Sequence, residues 1–446
     1  MQLETDTIVA IATPAGRGGI GIVRLSGADA RAIANALVRL RNPLAAGQAR
    51  FGEIVGEQGE VLDETVVTLF AAPHSYTSED VVEIAAHGSP VLLDWLVRAC
   101  LARGARLAEP GEFTQRAFLS GRLDLTQAEA VNDLIAAQTL QQARVAAAQL
   151  GGSVARTIAP VKERLVALIA ELEAGIDFAE DDLDLLAESE IAARIEAIHA
   201  GLRALAATYA YGRIVRDGFT LAIVGRPNAG KSSLFNRLLE RERAIVTAEP
   251  GTTRDPISER LSLGGIPVEL VDTAGLRDAP EGDAEMQGIE RSRTTMAEAD
   301  FVVQAIDATA EAHADDAATM EALKDRPHQV VLNKCDLLDE RPNSGGAIFT
   351  SAKTGEGIED LKRAVLASLS GNASDSALLT NLRQHEAIAE AIAAVEKARR
   401  AAEQKLPHEF LLLDLHAGLE ALDRLTGATT TDDILGLIFS SFCIGK

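Results

Sequence analysis

Cysteine is scarce. The 446 residues hold three, Cys100, Cys335 and Cys443, an odd number with no CxxC spacing and no Cys/His cluster. That excludes a disulfide framework and a structural zinc site. Aromatic side chains make up 4% of the chain, with one tryptophan, too few for a wide base-stacking platform on single-stranded RNA. Positive charge is outnumbered, with 43 Lys and Arg against 66 Asp and Glu and a net charge of −23. Such a surface repels phosphate backbones at long range, so any nucleic-acid contact is local or made by a partner. No apolar run reaches the ~18 residues of a membrane span. Glu4 and Asp6 stand where a secretory leader would be basic. The expectation is a cytoplasmic protein with neither membrane nor DNA as a partner.

What is present describes a multidomain α/β protein, 47% hydrophobic and 24% charged, long enough for about three domains. Over the first 120 or so residues, strand-like runs at 7–12, 19–25, 64–70 and 81–86 mix with helical patterns at 28–40 and Pro90–Leu101, an α+β arrangement. Thr126-Gln127-Ala128-Glu129 reads as a capping box opening Ala-rich helical sequence. Val161, Leu165, Leu168, Ile169 and Leu172 then line one helix face. Residues 171–190 carry nine acidic and no basic side chains, read as a solvated helix–helix connection, with a docking surface as the alternative. Apolar strands at 221–224, 267–271, 301–306, 329–332 and 347–349 alternate with helices, which predicts a mostly parallel sheet. Residues 370–376 form a linker, and helical periodicity returns with Ile388, Ile392 and Val395 and again from Leu411 to Leu422. The helices on either side of the sheet region are expected to form one discontinuous domain into which the sheet domain is inserted. The expected division is 1–120, 121–215, 216–375 and 376–446.

The strongest chemical signal is Gly225-Arg226-Pro227-Asn228-Ala229-Gly230-Lys231-Ser232, a GxxxxGK[ST] loop between a strand and a helix over 233–239. Its backbone N–H groups converge on phosphate oxygens at a helix N-terminus. Lys231 is expected to reach the β- and γ-phosphates and the Ser232 hydroxyl, followed by Ser233, to bind Mg²⁺. Asn333-Lys334-Cys335-Asp336 chooses the base: the Asp336 carboxylate accepts from guanine N1–H and its amine, donors that adenine does not present there. Ser351-Ala352-Lys353 can offer a backbone N–H to guanine O6. Asp272-Thr273-Ala274-Gly275 ends a strand where a carboxylate reaches the Mg²⁺ shell and a glycine N–H the γ-phosphate. Thr252 and Thr253 lie in a loop suited to a switch. Together these elements predict a GTPase. Ras-like enzymes place a water-orienting glutamine directly after that glycine; here it is Leu276. Catalysis is then either slow and partner-dependent or rebuilt from other parts, with a bound cation able to neutralise γ-phosphate charge.

Asn228, the 247–253 loop, residues 12–24 and 110–125 (with Gly111-Glu112-Phe113-Thr114 and Leu123-Asp124-Leu125), and the C-terminal Phe442-Cys443-Ile444-Gly445-Lys446 resemble the MnmE (TrmE) family of tRNA-modification GTPases over essentially the whole chain. The resemblance implies an N-terminal domain, similar to folate-binding aminomethyltransferase domains, that dimerises and binds 5-formyl- or methylene-tetrahydrofolate. It implies a partner, the FAD- and NADH-using MnmG, joined in a heterotetramer that reaches tRNA and modifies C5 of the wobble uridine with a carboxymethylaminomethyl or aminomethyl group. GTP hydrolysis is activated when two G domains meet across K⁺. By matching position, Asn228, Thr247, Glu249 and Thr252 surround K⁺, and Ser232 and Thr253 hold Mg²⁺, with Ala248, Pro250 and Gly251 completing the nucleotide loop. The water-positioning glutamate falls on Glu285, with Glu281 as the alternative. Arg24, Glu83, Arg122 and Lys446 face the folate, and Cys443 is the candidate catalytic thiol.

A second reading is an Era-like regulatory switch acting on ribosome or membrane, with the flanks as interaction arms. The last five residues favour the modification reading, and the acidic charge disfavours direct ribosomal RNA binding. Ile434, Leu435, Leu437, Ile438 and Phe439 form an apolar helical run, opened by Thr431, Asp432 and Asp433; its docking would anchor the tail. His74 and His87 are read as lone residues of polar turns without a partner.

Overall fold

The computed structural model describes residues 6–177, 187–241, 258–272, 299–369, 378–429 and 432–445. The chain divides into two compact units: Met1–Asn132 with Leu150–Ala155 and Glu420–Lys446, and Asp133–Gln149 with Arg156–Leu419.

The first unit is built on seven strands: β1 (Ile8–Ile11), β2 (Gly18–Ser26), β3 (Val38–Leu40), β4 (Ala49–Val55), β5 (Val61–Phe70), β6 (Val81–Gly88) and β7 (Arg106–Leu107). Their order in the sheet is β3-β4-β5-β6-β2-β1-β7. Only the short β1–β7 pairing is parallel. The helices Ala30–Leu37 and Pro90–Leu101 cover one face, where Ile33, Leu37, Leu93 and Leu96 pack on Val23, Leu25, Val67, Val82 and Ile84. Alternation along β6 follows: Val82, Ile84 and Ala86 are buried, while Glu83, Ala85 and His87 turn to the other face. The helix expected over 28–40 stops at Leu37, because Val38-Arg39-Leu40 pairs with Gly52, Glu53 and Ile54 of β4. The capping box also lies two residues earlier than expected. Asp124 N–H donates to Gln127 Oε1 at 3.0 Å and Gln127 N–H to Asp124 Oδ1 at 2.9 Å, closing the start of the helix Leu125–Ala136. Thr126 and Glu129 are buried inside that helix. The helix Asp432–Ser440 docks through Leu435 and Phe439, with Phe442 beyond it, on Phe118, Leu125 and Ala128.

The second unit carries β8 (Phe219–Val224), β9 (Ser258–Leu263), β10 (Ile266–Asp272), β11 (Phe301–Asp307), β12 (His328–Asn333) and β13 (Ile348–Phe349). The order is β13-β12-β11-β8-β10-β9, all parallel except β9 against β10. Both faces of β8 are covered. Leu221 and Ile223 meet Leu234, Phe235 and Leu238 of the helix Lys231–Arg241 and Ile358, Leu361 and Val365 of the helix Ile358–Leu369. Ala222 and Val224 share the opposite core with Val302 and Leu323, the last residue of the helix Ala314–Leu323. That double burial matches the uninterrupted apolar run 221–224 within β8. The helices Glu188–Ala206 and Leu382–Glu403, which precede and follow the sheet in sequence, pack on each other through buried faces such as Ile191, Ile195 and Ile198 on one and Ile388, Ala391 and Val395 on the other. The sheet is thus an insertion between helices that belong together. Helices Glu112–Leu119, Leu140–Leu150, Ser153–Asp177, Tyr209–Asp217 and His408–Thr426 complete the described elements of regular helix. No described helix is long and apolar enough to cross a membrane.

Candidate functional site

The nucleotide elements converge at the carboxyl ends of β8, β11 and β12, where an open parallel sheet places its ligand. Residues 225–230 turn from β8 into the helix beginning at Lys231, with Asn228 in the left-handed region at φ 64°. Gly230 sits at φ 84°, and a side-chain carbon there would stand 2.3 Å from Asn333 Nδ2. Only glycine permits that approach. It matters because Asn333 Nδ2 donates to Ala229 O at 2.9 Å while Asn333 Oδ1 accepts from Ala352 N–H at 3.2 Å. One buried side chain therefore ties the phosphate loop to both base-reading loops. Lys231 Nζ donates to Gly225 O at 2.8 Å and Arg226 O at 2.9 Å. Ser232 and Ser233 are exposed at the helix start.

Around the base-reading loop, Lys334 takes a left-handed backbone (φ 65°), and its Nζ lies 2.6 Å from Asp307 Oδ2 at the end of β11. Burial works to raise the Asp307 carboxyl, but Lys334 and Thr309 hold it below the usual carboxylate range. The Ser351 hydroxyl donates to Asp336 Oδ1 at 2.6 Å and accepts from Thr354 N–H at 3.1 Å, fixing the carboxylate assigned to guanine. Arg237 donates to Ala352 O and Lys353 O. Arg237 and Asp307 belong to no motif the sequence singles out; what could have marked them is their place, on the helix after the P-loop and at a strand end beside Lys334. Cys335 is buried, and burial, with Glu356 beside it, raises its thiol above the ordinary value. Asp272 closes β10, paired to Ile223, but its side chain lies outside the described residues. So do Thr247, Ala248, Glu249, Pro250, Gly251, Thr252, Thr253, Thr273, Ala274, Gly275, Leu276, Glu281, Glu285 and Lys446.

The first unit assembles the other group. Arg24 and Glu83 are direct cross-strand partners on β2 and β6, with Arg24 Nη2 2.8 Å and Nε 2.9 Å from Glu83 Oε1. Arg24 Nη1 also donates to Gly445 O at 3.4 Å, so the tail ends on this pair. Ile444 bridges Pro110. Gly445, at φ 96°, lies so close to β1 that a side-chain carbon would meet Ile11 O at 2.3 Å. Cys443, between the docked Phe442 and this bridge, is exposed. The guanidinium of Arg24 lies 5.9 Å from the Tyr76 ring centroid and 5.7 Å from that of Phe113, and the guanidinium of Arg122 lies 5.3 Å from the Tyr76 centroid. Tyr76 was not singled out by the sequence; being one of three tyrosines and set in the β5–β6 connection was its only signal. The neighbouring Ser75 Oγ is buried without a hydrogen-bond partner among the described residues.

An ion network supports this loop. Arg116, 4% exposed, reaches Asp6 at 2.7 Å, Glu112 at 2.9 Å and Glu79 at 3.2 Å. Arg106 joins Asp6 at 2.7 Å and Glu112 at 2.6 Å. Burial pushes the Asp6 and Glu112 carboxyls upward, yet the two arginines outweigh it and hold both below their ordinary values. Ser26 donates to Glu79 at 2.6 Å and meets Thr77 at 2.6 Å, anchoring the residue next to Tyr76. His87 has a partner, contrary to the expectation: its Nδ1 lies 2.6 Å from Asp63 Oδ1, an approach that β5–β6 pairing creates and spacing along the chain conceals.

A carboxylate acceptor at Glu83 and two guanidinium groups, those of Arg24 and Arg122, near the Tyr76 ring fit a ligand with an amidine-like donor edge and an anionic end, as a folate has. The second unit carries the P-loop and base-reading loops of a P-loop GTPase. Residues 125–443 match the family model for the MnmE helical domain, and residues 7–122 that for the GTP-binding protein TrmE N-terminus. The tRNA modification GTPase MnmE of Koribacter versatilis (strain Ellin345) is 56% identical over 456 residues, covering all of both chains. The MnmE of Aquifex aeolicus (strain VF5) is 42% identical over 447 residues, 99% of this chain and 100% of that one. Among solved structures, the G domain of the T. maritima FeoB iron transporter matches at 24% identity and a TM-score of 0.26, covering 34% of this chain and 99% of that one, too weak a likeness to carry a conclusion. The chain belongs to the MnmE family of tRNA modification GTPases. It is a GTP hydrolase acting in tRNA modification.

Proposed function

We propose that the chain is a K⁺-activated GTPase that, with MnmG, adds a carboxymethylaminomethyl or aminomethyl group to C5 of the wobble uridine of certain tRNAs in the cytoplasm. In this reading residues 1–120 bind tetrahydrofolate and form the homodimer, 121–215 and 376–446 make the helical domain, and 216–375 are the G domain. MnmG completes a heterotetramer, and tRNA is reached through that complex. The tetrahydrofolate, when bound, supplies a one-carbon unit.

The nucleotide site divides its work by atom. Asp336 accepts from the guanine edge, and Asn333 holds that loop to the phosphate loop. Ala352 presents its N–H to the base oxygen, Lys231 moves from the loop carbonyls to the phosphates, and Ser232, Thr253 and Asp272 serve Mg²⁺. Asn228, Thr247, Glu249 and Thr252 supply oxygens to K⁺, and Glu285 orients the attacking water where Leu276 cannot. In the other unit Glu83 and Arg24 orient the folate beside the exposed Cys443.

The observation that carries this reading is the C-terminal tail, which ends on the Arg24–Glu83 pair through Gly445 O, in a different unit from the guanine-reading loops. Two chemistries then sit at two places. Cys443→Ser is expected to abolish wobble-uridine modification in cells while GTP hydrolysis by the purified protein persists. Normal modification by Cys443→Ser would leave the tail a docking role only.

A further inference from the structure

The first residues of the phosphate loop are held from outside the loop. Gly225 lies so close to β11 that a side-chain carbon would collide with the Ala305 carbonyl. Arg226 Nε stands 3.0 Å from Oδ2 of Asp316, which lies in the first turn of the helix Ala314–Leu323. Both atoms are buried and neither makes a hydrogen bond among the described residues, so each charge answers the other. Asp316, 7% exposed, is tied down in turn. Its carbonyl accepts from Gln304 Nε2 at 2.8 Å, and its N–H donates to His313 O at 3.2 Å. Gln304 is fully buried and stands next to Ala305 on β11. One stretch of β11 therefore backs Gly225 directly and Arg226 through Asp316.

These two loop residues matter because Lys231 Nζ rests on their carbonyls, Gly225 O at 2.8 Å and Arg226 O at 2.9 Å. A restraint on the Arg226 side chain is a restraint on the residue whose carbonyl holds the lysine. Opposite charges this close and this dry attract strongly, and removing one of them leaves an uncompensated buried charge. The same pairing spends the charge of Arg226. A guanidinium facing a carboxylate at 3.0 Å brings no net charge toward a phosphate, so Arg226 serves the loop as a strut and not as a second phosphate cation.

Resting on the reading of Lys231 as the lysine of the β- and γ-phosphates, we propose that Asp316 is a positioning residue for GTP binding, acting through Arg226 to hold the phosphate loop and Lys231 in place. The test is displacement of a fluorescent GDP from the full chain by GDP and by GMP, which share the base and differ in the phosphate that Lys231 reaches. Asp316→Ala is expected to lower the preference for GDP over GMP by about tenfold, the scale of one hydrogen bond to a charged group. GMP affinity stays near the wild-type value, because the base-reading loops are untouched. Arg226→Ala lowers the preference in the same direction. The double variant, which leaves no unpaired buried charge, loses no more than the larger single loss, since residues acting as one unit are not additive. The proposal is overturned if Asp316→Ala keeps the wild-type preference or weakens GDP and GMP alike, the mark of a merely structural role. It is overturned equally if Asp316→Ala tightens GDP, since Arg226 would then be a phosphate ligand that Asp316 restrains, or if the two single losses add. Where a single variant fails to fold, the double variant decides: the wild-type preference there overturns the proposal, and a preference about tenfold lower supports it. Lys231→Ala with the wild-type preference overturns the reading of Lys231 itself.

Discussion

At the scale of single residues, the proposed reading has one carboxylate, Asp336, choose the base. Its Oδ1 already accepts from Ser351 at 2.6 Å, so the side chain is oriented before any base arrives, and the donors of guanine's edge find an acceptor in place. Adenine would leave that acceptor unpaired. Asp336→Asn exchanges an acceptor for a donor. GTP affinity is expected to fall by about 10²-fold, two hydrogen bonds to a charged group at the usual magnitude, while xanthosine triphosphate, with an oxygen in place of the amine, becomes the better ligand. Fluorescence titration with both nucleotides measures this, and unchanged GTP affinity would remove Asp336 from the base edge.

At the scale of elements, the Asp6–Arg116–Glu112–Glu79 network fastens the β5–β6 connection to the helix Glu112–Leu119 and so positions both rings beside Arg24. Because Asp6 and Glu112 are held below their ordinary values in the folded unit, the unfolded chain binds more protons than the folded one in acid. Their stabilisation is complete above the unfolded carboxylate values of about 4 and is lost as pH falls through the lower folded values. Removing the buried cation by Arg116→Met is expected to cost about 3 kcal/mol at neutral pH and to flatten the acid dependence of unfolding. Trp95, the single tryptophan, packs against the core of this unit, and its fluorescence follows the transition; a mutant with wild-type acid dependence would show the network to be idle. Sequence reading succeeded where elements are buried on both faces or strongly amphipathic. The helix Pro90–Leu101 and β11 emerge almost to the residue. It missed β4, whose pattern Gly52 and Glu53 interrupt, and β9, an edge strand with Leu261 and Leu263 as its buried side chains. It also extended the first helix through Val38-Arg39-Leu40, whose apolar spacing suits either structure and whose state pairing with β4 decides. The P-loop and guanine loops were legible because their chemistry is local in sequence. The Arg24–Glu83–Gly445 contact, spanning 421 residues, had no local signature; family resemblance grouped Arg24, Glu83 and the tail without giving this contact, and Tyr76 was not reached at all.

At the scale of the whole molecule, the proposed account joins two chemistries in one chain, and each has its own ionic requirement. Leu276 stands where a water-orienting glutamine is absent, so hydrolysis is expected to depend on K⁺ held by Asn228 and the 247–253 loop, with turnover at least about tenfold lower when Na⁺ replaces K⁺ at matched ionic strength, the scale of losing one electrostatic stabiliser. Phosphate release assayed in KCl and NaCl checks it, equal rates arguing against a cation in the transition state. The modification itself is tested most directly by mass spectrometry of nucleosides from tRNA of cells lacking this chain and of the same cells given it back. The account predicts that the C5 aminomethyl-type substituent of the wobble uridine disappears without the chain and returns with it, and an undiminished substituent in its absence would contradict the account.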